Sequence, residues 1–569
     1  MAKDDFQVSG TNKNALFTLK LHRGDGMCLV AMNWKKGKPP EDFVGFAIES
    51  KPPDEDKFFP LKNRVAFPTD DGEVNDVQLS TLVSPIQKWR WVHFPRNANL
   101  AGAFTYRVTP IFMDEEDRLS QGVPQEASIE LRRETYPGQL NVTFTRGFVS
   151  SQAFVDRFEK FGAVKTLLPP NADAGLKFKP THPKTEEALA WMGFEARETI
   201  LDTLDAAITD KHAQVRVVAY DLSEPEVVGR LAKLGKRLRI IIDDSAGHGK
   251  PHSGETQTAK RLEKTAGKAN VKRQHMKSLQ HNKMIMVDSP TMKRVVFGST
   301  NLSWRGLYVQ ANNACVVDGQ TAVDLAFEAF DNYFDHEKEF GDSESAKMVS
   351  LGLKNIDARV AFSPHSADNS LLDQIGEDIG ETTSCLFYSL AFLSITPGII
   401  KETIKKVSKK PGIFVYGIAD KKVGGIQLQM PNGNIAPVFA AALDKTIPAP
   451  FNKEPTGGGG NRMHHKFVVI DFDKPTARVY LGSYNMSIPA DRKNGENLLL
   501  IKDRRVATSY TIEALRIFDH YHFRVAQKQA KKARKKLQLA KPPRERGEKP
   551  WWLEDYTDKR KIKDRELFA

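Results

Sequence analysis

The stretch His464–Asp471, which reads HHKFVVID, decides both the fold and the chemistry that this 569-residue chain is expected to have. It places a histidine at position i, a lysine at i+2 and an aspartate at i+7, with four apolar residues between the last two. A short apolar run of this kind predicts a buried strand. Side chains two apart on a strand share a face, so His464 and Lys466 are expected to project together, with His465 on the opposite face as a structural residue.

A second copy lies upstream at His281–Asp288, which reads HNKMIMVD. Each copy is followed by a second short strand and a Gly-Ser-x-Asn sequence, GSTN at 298–301 and GSYN at 482–485. A single His-x-Lys is often accidental in a basic chain: the one at His275 has neither the apolar run nor the aspartate. Two complete copies in similar strand contexts favour a functional reading.

The pair resembles the two HxKxxxxD…GSxN signatures of the phospholipase D superfamily, phosphodiesterases that act through a phosphohistidine intermediate. The resemblance covers about residues 165–525. It implies a duplicated α/β/α domain pair whose two motifs meet in one cleft, so that one chain suffices for a complete site. The residues themselves show a repeat, because strands at 213–220 and 384–391 are each followed by a helix, another strand and an HxK strand. Strands that alternate with helices predict mostly parallel sheets.

We predict five segments. Residues 1–148 form an all-β sandwich of immunoglobulin or fibronectin type, because short apolar runs, the last at Leu140–Phe144, alternate with turn residues. Residues 149–193 connect it, through a short helix at Ser151–Phe161, to a first phospholipase D-like half at 194–350 and a second at 351–525. A basic tail occupies 526–569. The β domain is either a partner-binding module or a packing appendage.

Composition indicates an ordinary globular chain with a preference for anionic partners. It is 40% hydrophobic and 27% charged, with a net charge of +13. Three separated cysteines are expected to be small buried hydrophobes, and no Cys/His cluster suggests zinc. The sequence contains neither an apolar signal segment nor a run long enough to span a bilayer, so we expect a cytoplasmic protein, or one exported without an N-terminal signal.

Four further segments have predicted roles, and three of them leave alternatives open. A basic helix predicted at Tyr510–Ala540 either contacts the phosphates of nucleic acid or of an anionic membrane, or is a solvated face. The Trp551–Trp552 pair is expected to dock back on the protein. The glycine run 457–460 is a flap over the cleft or a connector, and the loop His248–His252 approaches substrate or is simply solvated.

The resemblance also implies roles for the motif residues. One histidine attacks phosphorus while neutral and the other protonates the leaving alkoxide, which suits imidazole because its pKa lies near physiological pH. Following the family, we assign His281 as nucleophile and His464 as general acid. Asp288 and Asp471 are expected to bond to the Nδ1 atoms of the histidines.

Lysines and amides complete the predicted site, which requires no metal or other cofactor. Lys283 and Lys466 are expected to hold phosphoryl oxygens. The other candidate phosphate ligands are the Ser and Asn of each GSxN: Ser299, Asn301, Ser483 and Asn485. Glu496, after the second motif, is a supporting residue whose counterpart region in the first half, 310–313, carries no acid.

The leading functional hypothesis is hydrolysis of a phospholipid phosphodiester, with transfer to an alcohol as a variant. The main alternative is a nuclease that uses the same residues on DNA or RNA. Small nuclease relatives carry one motif and dimerise, so two motifs in one chain favour the first. A cardiolipin synthase-type transferase fits less well without membrane-spanning segments, and intact motifs argue against a binding protein with a vestigial site.

Overall fold

The computed structural model describes residues 5–69, 79–95, 97–132, 134–147, 151–171, 175–393, 397–419, 463–534 and 536–569. The glycine run 457–460 lies outside these residues. Two seven-stranded sheets carry the two HxK motifs, and two smaller sheets precede them. No helix among the described residues has the length and apolar character needed to cross a bilayer.

The N-terminal part forms a four-stranded and a five-stranded sheet around a shared apolar core. Its strands are β1 Gln7–Ser9, β2 Phe17–Arg23, β3 Cys28–Trp34, β4 Phe43–Lys51, β5 Phe59–Pro60, β6 Arg90–His93, β7 Ala103–Met113, β8 Leu119–Gln121 and β9 Gln125–Glu130. Every second residue of a strand faces the core, as in β2, where Phe17, Leu19 and Leu21 are buried. This alternation explains how each sheet covers the core. The predicted β-rich N-terminal region is therefore present.

The first large sheet has the order β10-β16-β15-β14-β11-β12-β13. The elements of this half are β10 Leu140–Phe144, α1 Ser151–Phe158, α2 Thr185–Thr209, β11 Gln214–Ala219, α3 Pro225–Leu234, β12 Leu238–Asp243, α4 Gly254–Ala266, β13 Val271–Gln274, β14 Lys283–Asp288, β15 Lys293–Gly298, β16 Asn313–Asp318 and α5 Gln320–Asp335. We expected Leu140–Phe144 to close the N-terminal sandwich. Instead it pairs with β16 at the edge of this sheet.

The second large sheet repeats that arrangement in the order β17-β18-β23-β22-β21-β19-β20. Its elements are β17 Val349–Ser350, β18 Asp357–Ser363, α6 Leu372–Gly380, β19 Cys385–Leu390, α7 Ile399–Val407, β20 Phe414–Ile418, β21 Lys466–Ile470, β22 Arg478–Gly482, α8 Ile488–Arg492, β23 Glu496–Lys502 and α9 Arg504–Lys532. In each sheet the HxK strand forms a hairpin with the strand that leads to GSxN.

The expectation of mostly parallel sheets is wrong. Only β11–β12, β12–β13 and β19–β20 pair in parallel in the two large sheets, and the other described pairs are antiparallel. For the two motif hairpins the reason is local: the short turns after Asp288 and Asp471 return the chain directly beside the strand that it has just left, which makes an antiparallel pair.

The C-terminal segment, which includes α10 Lys559–Leu567, packs against both the β domain and the second half. Trp552 is buried in the core of the β domain and Trp551 stacks on Trp89 with ring centroids 5.7 Å apart, so the predicted docking of the tryptophan pair is confirmed. Phe568 stacks on Phe472 at 5.5 Å. All three cysteines are free and buried, as expected.

A buried arginine fastens this segment to α9. Arg90 of β6 pairs with Asp519 at 3.0 Å and with Asp564 at 2.9 Å, and its side chain is 6% exposed. Earlier in the same segment, Lys541 and Arg544 pair with Asp117 of the β domain. These contacts hold the segment against the protein and use part of the positive charge that the tail carries.

Candidate active site

The two HxK motifs meet between the large sheets. The imidazole rings of His281 and His464 lie 6.1 Å apart, centroid to centroid. Their residues are 4% and 5% exposed, and both line a pocket of about 390 Å³. The backbone helps to set this approach, because the His464 N–H donates to the carbonyl of Ala311 in the first half at 3.1 Å. The two histidines are thus close enough to act on one phosphodiester.

Each histidine takes its Nδ1 partner from the opposite half. His281 Nδ1 lies 2.7 Å from Oε2 of Glu496, at the start of β23. His464 Nδ1 lies 2.8 Å from Oδ1 of Asn312, just before β16. Glu496 and Asn312 lie at the start of equivalent strands in the repeat, so the same region carries a carboxyl in one half and a neutral amide in the other. The two rings therefore differ in electrostatic environment despite the repeated motif.

The expected bonds from Asp288 and Asp471 to the histidines do not form. An extended strand rises about 3.3 Å per residue, so seven residues place each aspartate roughly 20 Å from its own histidine. Asp288 pairs with Lys293 in its hairpin. Asp471 accepts hydrogen bonds from the backbone of residues 383–385 at 2.7–3.1 Å, in addition to a bond from the hydroxyl of Thr383. Both aspartates end a strand and lie away from the reacting groups.

Both motif lysines are buried next to the histidines. Lys466 Nζ donates to the carbonyl of His464 at 2.6 Å, and Lys283 Nζ makes the same contact to His281. Lys283 Nζ also lies 4.7 Å from the centre of the Tyr220 ring. Burial lowers the pKa of Lys283 to about 8, although the Glu496 carboxylate acts in the opposite direction. The two ammonium groups act on the histidines, since their positive charges lower the pKa of His281 and of His464.

The GSxN residues divide into two groups. Asn301 and Asn485 line the pocket, as expected of phosphate ligands. Ser299 and Ser483 are fully buried behind it. Ser299 Oγ donates to Oδ1 of Asn312 at 2.9 Å, and Ser483 Oγ accepts from the N–H of residue 497 at 2.9 Å. The predicted phosphate contacts of the two serines are thus replaced by contacts that hold the loops bearing the Nδ1 partners.

The glycine of each GSxN is required by this packing. Gly298 and Gly482 have φ values of +134° and +135°, in a region that residues with a Cβ avoid. A Cβ on either would collide with the carbonyl of Asn313 or Asn497 respectively.

Burial sets the protonation of the histidine pair. It lowers the pKa of His281 and of His464 well below 6.5, and Lys283 and Lys466 reinforce that shift through their positive charges. Burial raises the pKa of Glu496 to about 8. Without an anion in the pocket, both rings are therefore neutral. A bound phosphodiester brings the negative charge that favours protonation of one ring.

His465 is structural, as predicted. It is fully buried on the opposite side of its segment, where its Nε2 lies 3.0 Å from Glu513 of α9. Its ring also packs on Phe144 of β10 at 5.8 Å.

A second cluster in the pocket wall escaped sequence analysis. His248 Nε2 lies 3.0 Å from Asp221 and its Nδ1 lies 2.8 Å from Asp243. His248, for which the sequence predicts either an approach to substrate or simple solvation, thus lines the pocket. Burial opposes charge on both groups, yet the hydrogen bonds that join them raise the pKa of His248 to about 10 and lower that of Asp221 to about 2. The place of Asp221 in the pocket could have been suspected only from its position in the sequence, directly after Tyr220 at the end of β11.

Comparison with known proteins identifies the two halves. The family described as "Cardiolipin synthase, PLD-like domain" matches twice, at residues 202–336 and 383–518. A phospholipase D of Rickettsia prowazekii (strain Madrid E) is 45% identical over 47 residues, which are 8% of this chain and 21% of that protein. The chain therefore spans about a fifth of the length of the curated relatives that it matches.

Two solved structures are among those that resemble the chain. Phosphatidylserine synthase of Haemophilus influenzae Rd KW20 is 13% identical, with a TM-score of 0.41, and the match covers 60% of this chain and 92% of that one. Nuc of Salmonella typhimurium, a phospholipase D family member, is 20% identical with a TM-score of 0.18, and the match covers 30% and 96%. On the two domain matches, the chain belongs to the phospholipase D superfamily, whose members include phosphodiesterases, and it contains the duplicated domain that the repeat predicted.

Proposed function

We propose that this chain is a phosphodiesterase that hydrolyses a phospholipid through a phosphohistidine intermediate. The observation that carries the proposal is the pair of buried histidines 6.1 Å apart, one bonded to a carboxyl and the other to an amide. Two-step displacement needs one ring that becomes cationic on attack and one that gives up a proton. A carboxyl partner on the Nδ1 of one ring and an amide partner on the Nδ1 of the other suit these two different roles.

His281 is the nucleophile in this proposal. Its Nδ1–H donates to ionised Glu496, which leaves the Nε2 lone pair free to attack phosphorus. Attack makes the ring cationic, and a carboxylate 2.7 Å away stabilises that charge.

His464 is the general acid. Its Nδ1–H donates to Asn312, a neutral acceptor that stabilises the charged ring less than a carboxylate does. The His464 imidazolium formed when substrate binds is therefore the stronger acid of the two, and it protonates the leaving alkoxide from Nε2. In the second half-reaction the neutral ring accepts a proton from water, or from an alcohol where transfer occurs.

The two buried lysines of the motifs hold the phosphoryl group. Lys283 and Lys466 neutralise its non-bridging oxygens, and the amides of Asn301 and Asn485 supply neutral hydrogen bonds from the pocket wall. Burial of the lysines makes each charge more effective, because the local dielectric is low.

An apolar groove beside the pocket supports a lipid substrate. It has a volume of about 280 Å³ and is lined mostly by apolar side chains: Leu372, Leu393, Pro397, Ile399, Met486 and Ile488. Ile399 and Ile488 are 37% and 52% exposed, which is unusual for such side chains. Leu393 and Met486 directly follow two pocket residues, Phe392 and Asn485, so the groove adjoins the pocket. The lining carries two cations, Lys401 and Arg492, against one acid, Asp373, and this excess of positive charge favours an anionic lipid surface.

The nuclease remains the second candidate because of the basic end of α9 and the net charge of +13. The C-terminal segment supports it less than its composition suggested. Lys541 and Arg544 are paired with Asp117, and the tryptophans further along the segment are packed on the β domain.

Parallel turnover assays test the proposal. Vesicles of zwitterionic and anionic phospholipids, and labelled single- and double-stranded DNA and RNA, are incubated with the protein and with His281→Ala and His464→Ala variants. We expect head-group release from lipid that both substitutions abolish. Cleavage of nucleic acid that both abolish would assign the site to a nuclease, and lipid turnover that survives both would refute the two-histidine mechanism.

Ile488→Asp tests the groove separately. We expect it to slow turnover of vesicle lipid while leaving turnover of a short, soluble phosphodiester unchanged, because the substitution does not touch the reacting groups.

A further inference from the structure

Two carboxyl groups and one imidazole ring lie together in the wall of the pocket. Asp221 and Glu255 offer oxygens that, together with a nitrogen of His248, all lie within 4.8 Å of one another. The three residues come from the end of β11, the loop after β12 and the first turn of α4. All three line the same pocket as His281 and His464.

The ring of His248 is oriented as a metal ligand would be. Its Nδ1 is held by Asp243 at 2.8 Å, and Asp243 is itself fixed by the backbone N–H of Gln280 at 2.7 Å. A carboxylate on one ring nitrogen directs the other nitrogen outward and is the usual companion of a metal-bound histidine. Here Nε2 faces Asp221 at 3.0 Å, a separation typical of two donors on one ion.

A fourth polar atom is available beside the cluster. Asn301 donates its amide N–H to Asp221 at 2.9 Å. Its Oδ1 is buried and accepts no hydrogen bond within the part of the chain that the structure describes, although the residue is only 2% exposed. Burying a carbonyl oxygen without a partner costs free energy, which a cation bound nearby would offset.

We propose that Asp221, His248 and Glu255 bind one divalent transition-metal ion in the wall of the active-site pocket. One imidazole and two carboxylates suit Zn²⁺ or Mn²⁺ better than Mg²⁺ or Ca²⁺, which prefer oxygen ligands alone. The ion replaces the proton between His248 and Asp221, so binding releases it. Because its three ligands line the pocket, the ion would lie within reach of an anionic group of the substrate.

Metal titration of the full-length protein without substrate tests this proposal. The protein is stripped with a chelator and desalted. Mn²⁺ is then followed by the paramagnetic resonance of the free ion, and Zn²⁺ by calorimetry. We expect one equivalent of one of these ions to bind saturably. Glu255→Gln should weaken that binding at least about tenfold while keeping the acceptor for the N–H of Leu222, 3.1 Å away.

His275→Gln is the matched control. It removes another histidine–aspartate pair, His275 with Asp244 at 2.8 Å, that is exposed and lies outside the pocket lining. Its metal binding should equal that of the unmodified protein. A rise in melting temperature on adding the ion should likewise persist in His275→Gln and be clearly smaller in Glu255→Gln at the same ion concentration.

Failure to bind either ion at about millimolar concentration, or equal losses in Glu255→Gln and His275→Gln, would overturn the proposal. The cluster would then be an internally satisfied ion pair. Because the titration needs no turnover, its result is independent of whether the phosphodiesterase proposal holds.

Discussion

Replacing Glu496 isolates the effect of the charge that distinguishes the two histidines. In the unmodified protein, His281 Nδ1 lies 2.7 Å from a carboxyl oxygen of Glu496. Glu496→Gln keeps the size of the side chain and an oxygen to accept this bond, but it removes the negative charge. A hydrogen bond to a charged group contributes about 1.5–3 kcal/mol and a neutral one about 0.5–1.5 kcal/mol. The difference of about 1–1.5 kcal/mol, if expressed in the transition state, slows phosphohistidine formation roughly 5- to 13-fold. Glu496→Ala, which loses the whole bond, should slow it roughly 10- to 150-fold.

A p-nitrophenyl phosphodiester makes this measurement specific to the nucleophile, because its leaving group needs no proton. Rapid-quench measurement of p-nitrophenol release in the first turnover gives the rate of attack. Asn312→Ala, the matched change at the other histidine, should leave that rate nearly unaltered while slowing turnover of an alkyl ester. If Asn312→Ala slows the activated ester more than Glu496→Ala does, the roles of His281 and His464 are reversed and the electrostatic reasoning fails.

The same pair predicts the pH dependence. Burial raises the pKa of Glu496 to about 8, and the carboxyl must be ionised to accept the Nδ1 proton of His281. The rate of attack should therefore rise with pH until about 8. Glu496→Gln has no carboxyl to ionise, so the rise should vanish. A rise of equal size in Glu496→Gln would assign the titration to another group.

His464→Ala, assayed with the activated ester, should form the intermediate and then stall, because no base remains to activate water. Mass spectrometry should then locate the phosphoryl group on His281. Absence of the group from His281 would refute the assignment of that residue as nucleophile. Asp471→Ala leaves three backbone N–H groups unpaired and should lower the free energy of unfolding by about 3 kcal/mol or more, whereas Asp288→Asn should change it by less than about 0.5 kcal/mol and keep activity. Urea denaturation measures both, and equal effects would contradict the separate placements of the two aspartates. Arg90→Ala leaves two half-buried carboxylates without their partner and should lower the free energy of unfolding by about 1.5–3 kcal/mol in the same assay. An unchanged stability would indicate that the C-terminal segment is held by its aromatic contacts alone.

The parts of the site that sequence predicted are those that strand periodicity controls. Alternation along the HxK motifs predicts that each histidine and lysine share a side. The duplicated motif implied that the two copies meet, and the two rings do lie 6.1 Å apart. The Nδ1 partners were assigned wrongly because they depend on contacts between the halves, 215 residues apart for His281 and Glu496. Spacing within one strand carries no information about such a contact.

The same limit applies to the fold. Apolar runs identified most strands of the two repeats, yet not their directions, because an apolar run looks the same whether a short turn or a helical crossover connects it to its neighbour. Leu140–Phe144 has the pattern of a sandwich strand and instead pairs with β16, at the place that β18 takes beside β23 in the other half. Pairing partners are chosen by tertiary packing, which single-strand patterns do not encode.

The exchange of Nδ1 partners between the halves bears on why this catalyst is one polypeptide. A symmetric homodimer assembled from either half would give both rings the same neighbour, two carboxylates or two amides. Joining the halves in tandem lets Glu496 and Asn312 differ, so that the two imidazoles become chemically unequal while their surrounding scaffold stays nearly the same. Covalent linkage thereby permits specialisation of duplicate residues, a freedom that identical subunits do not possess.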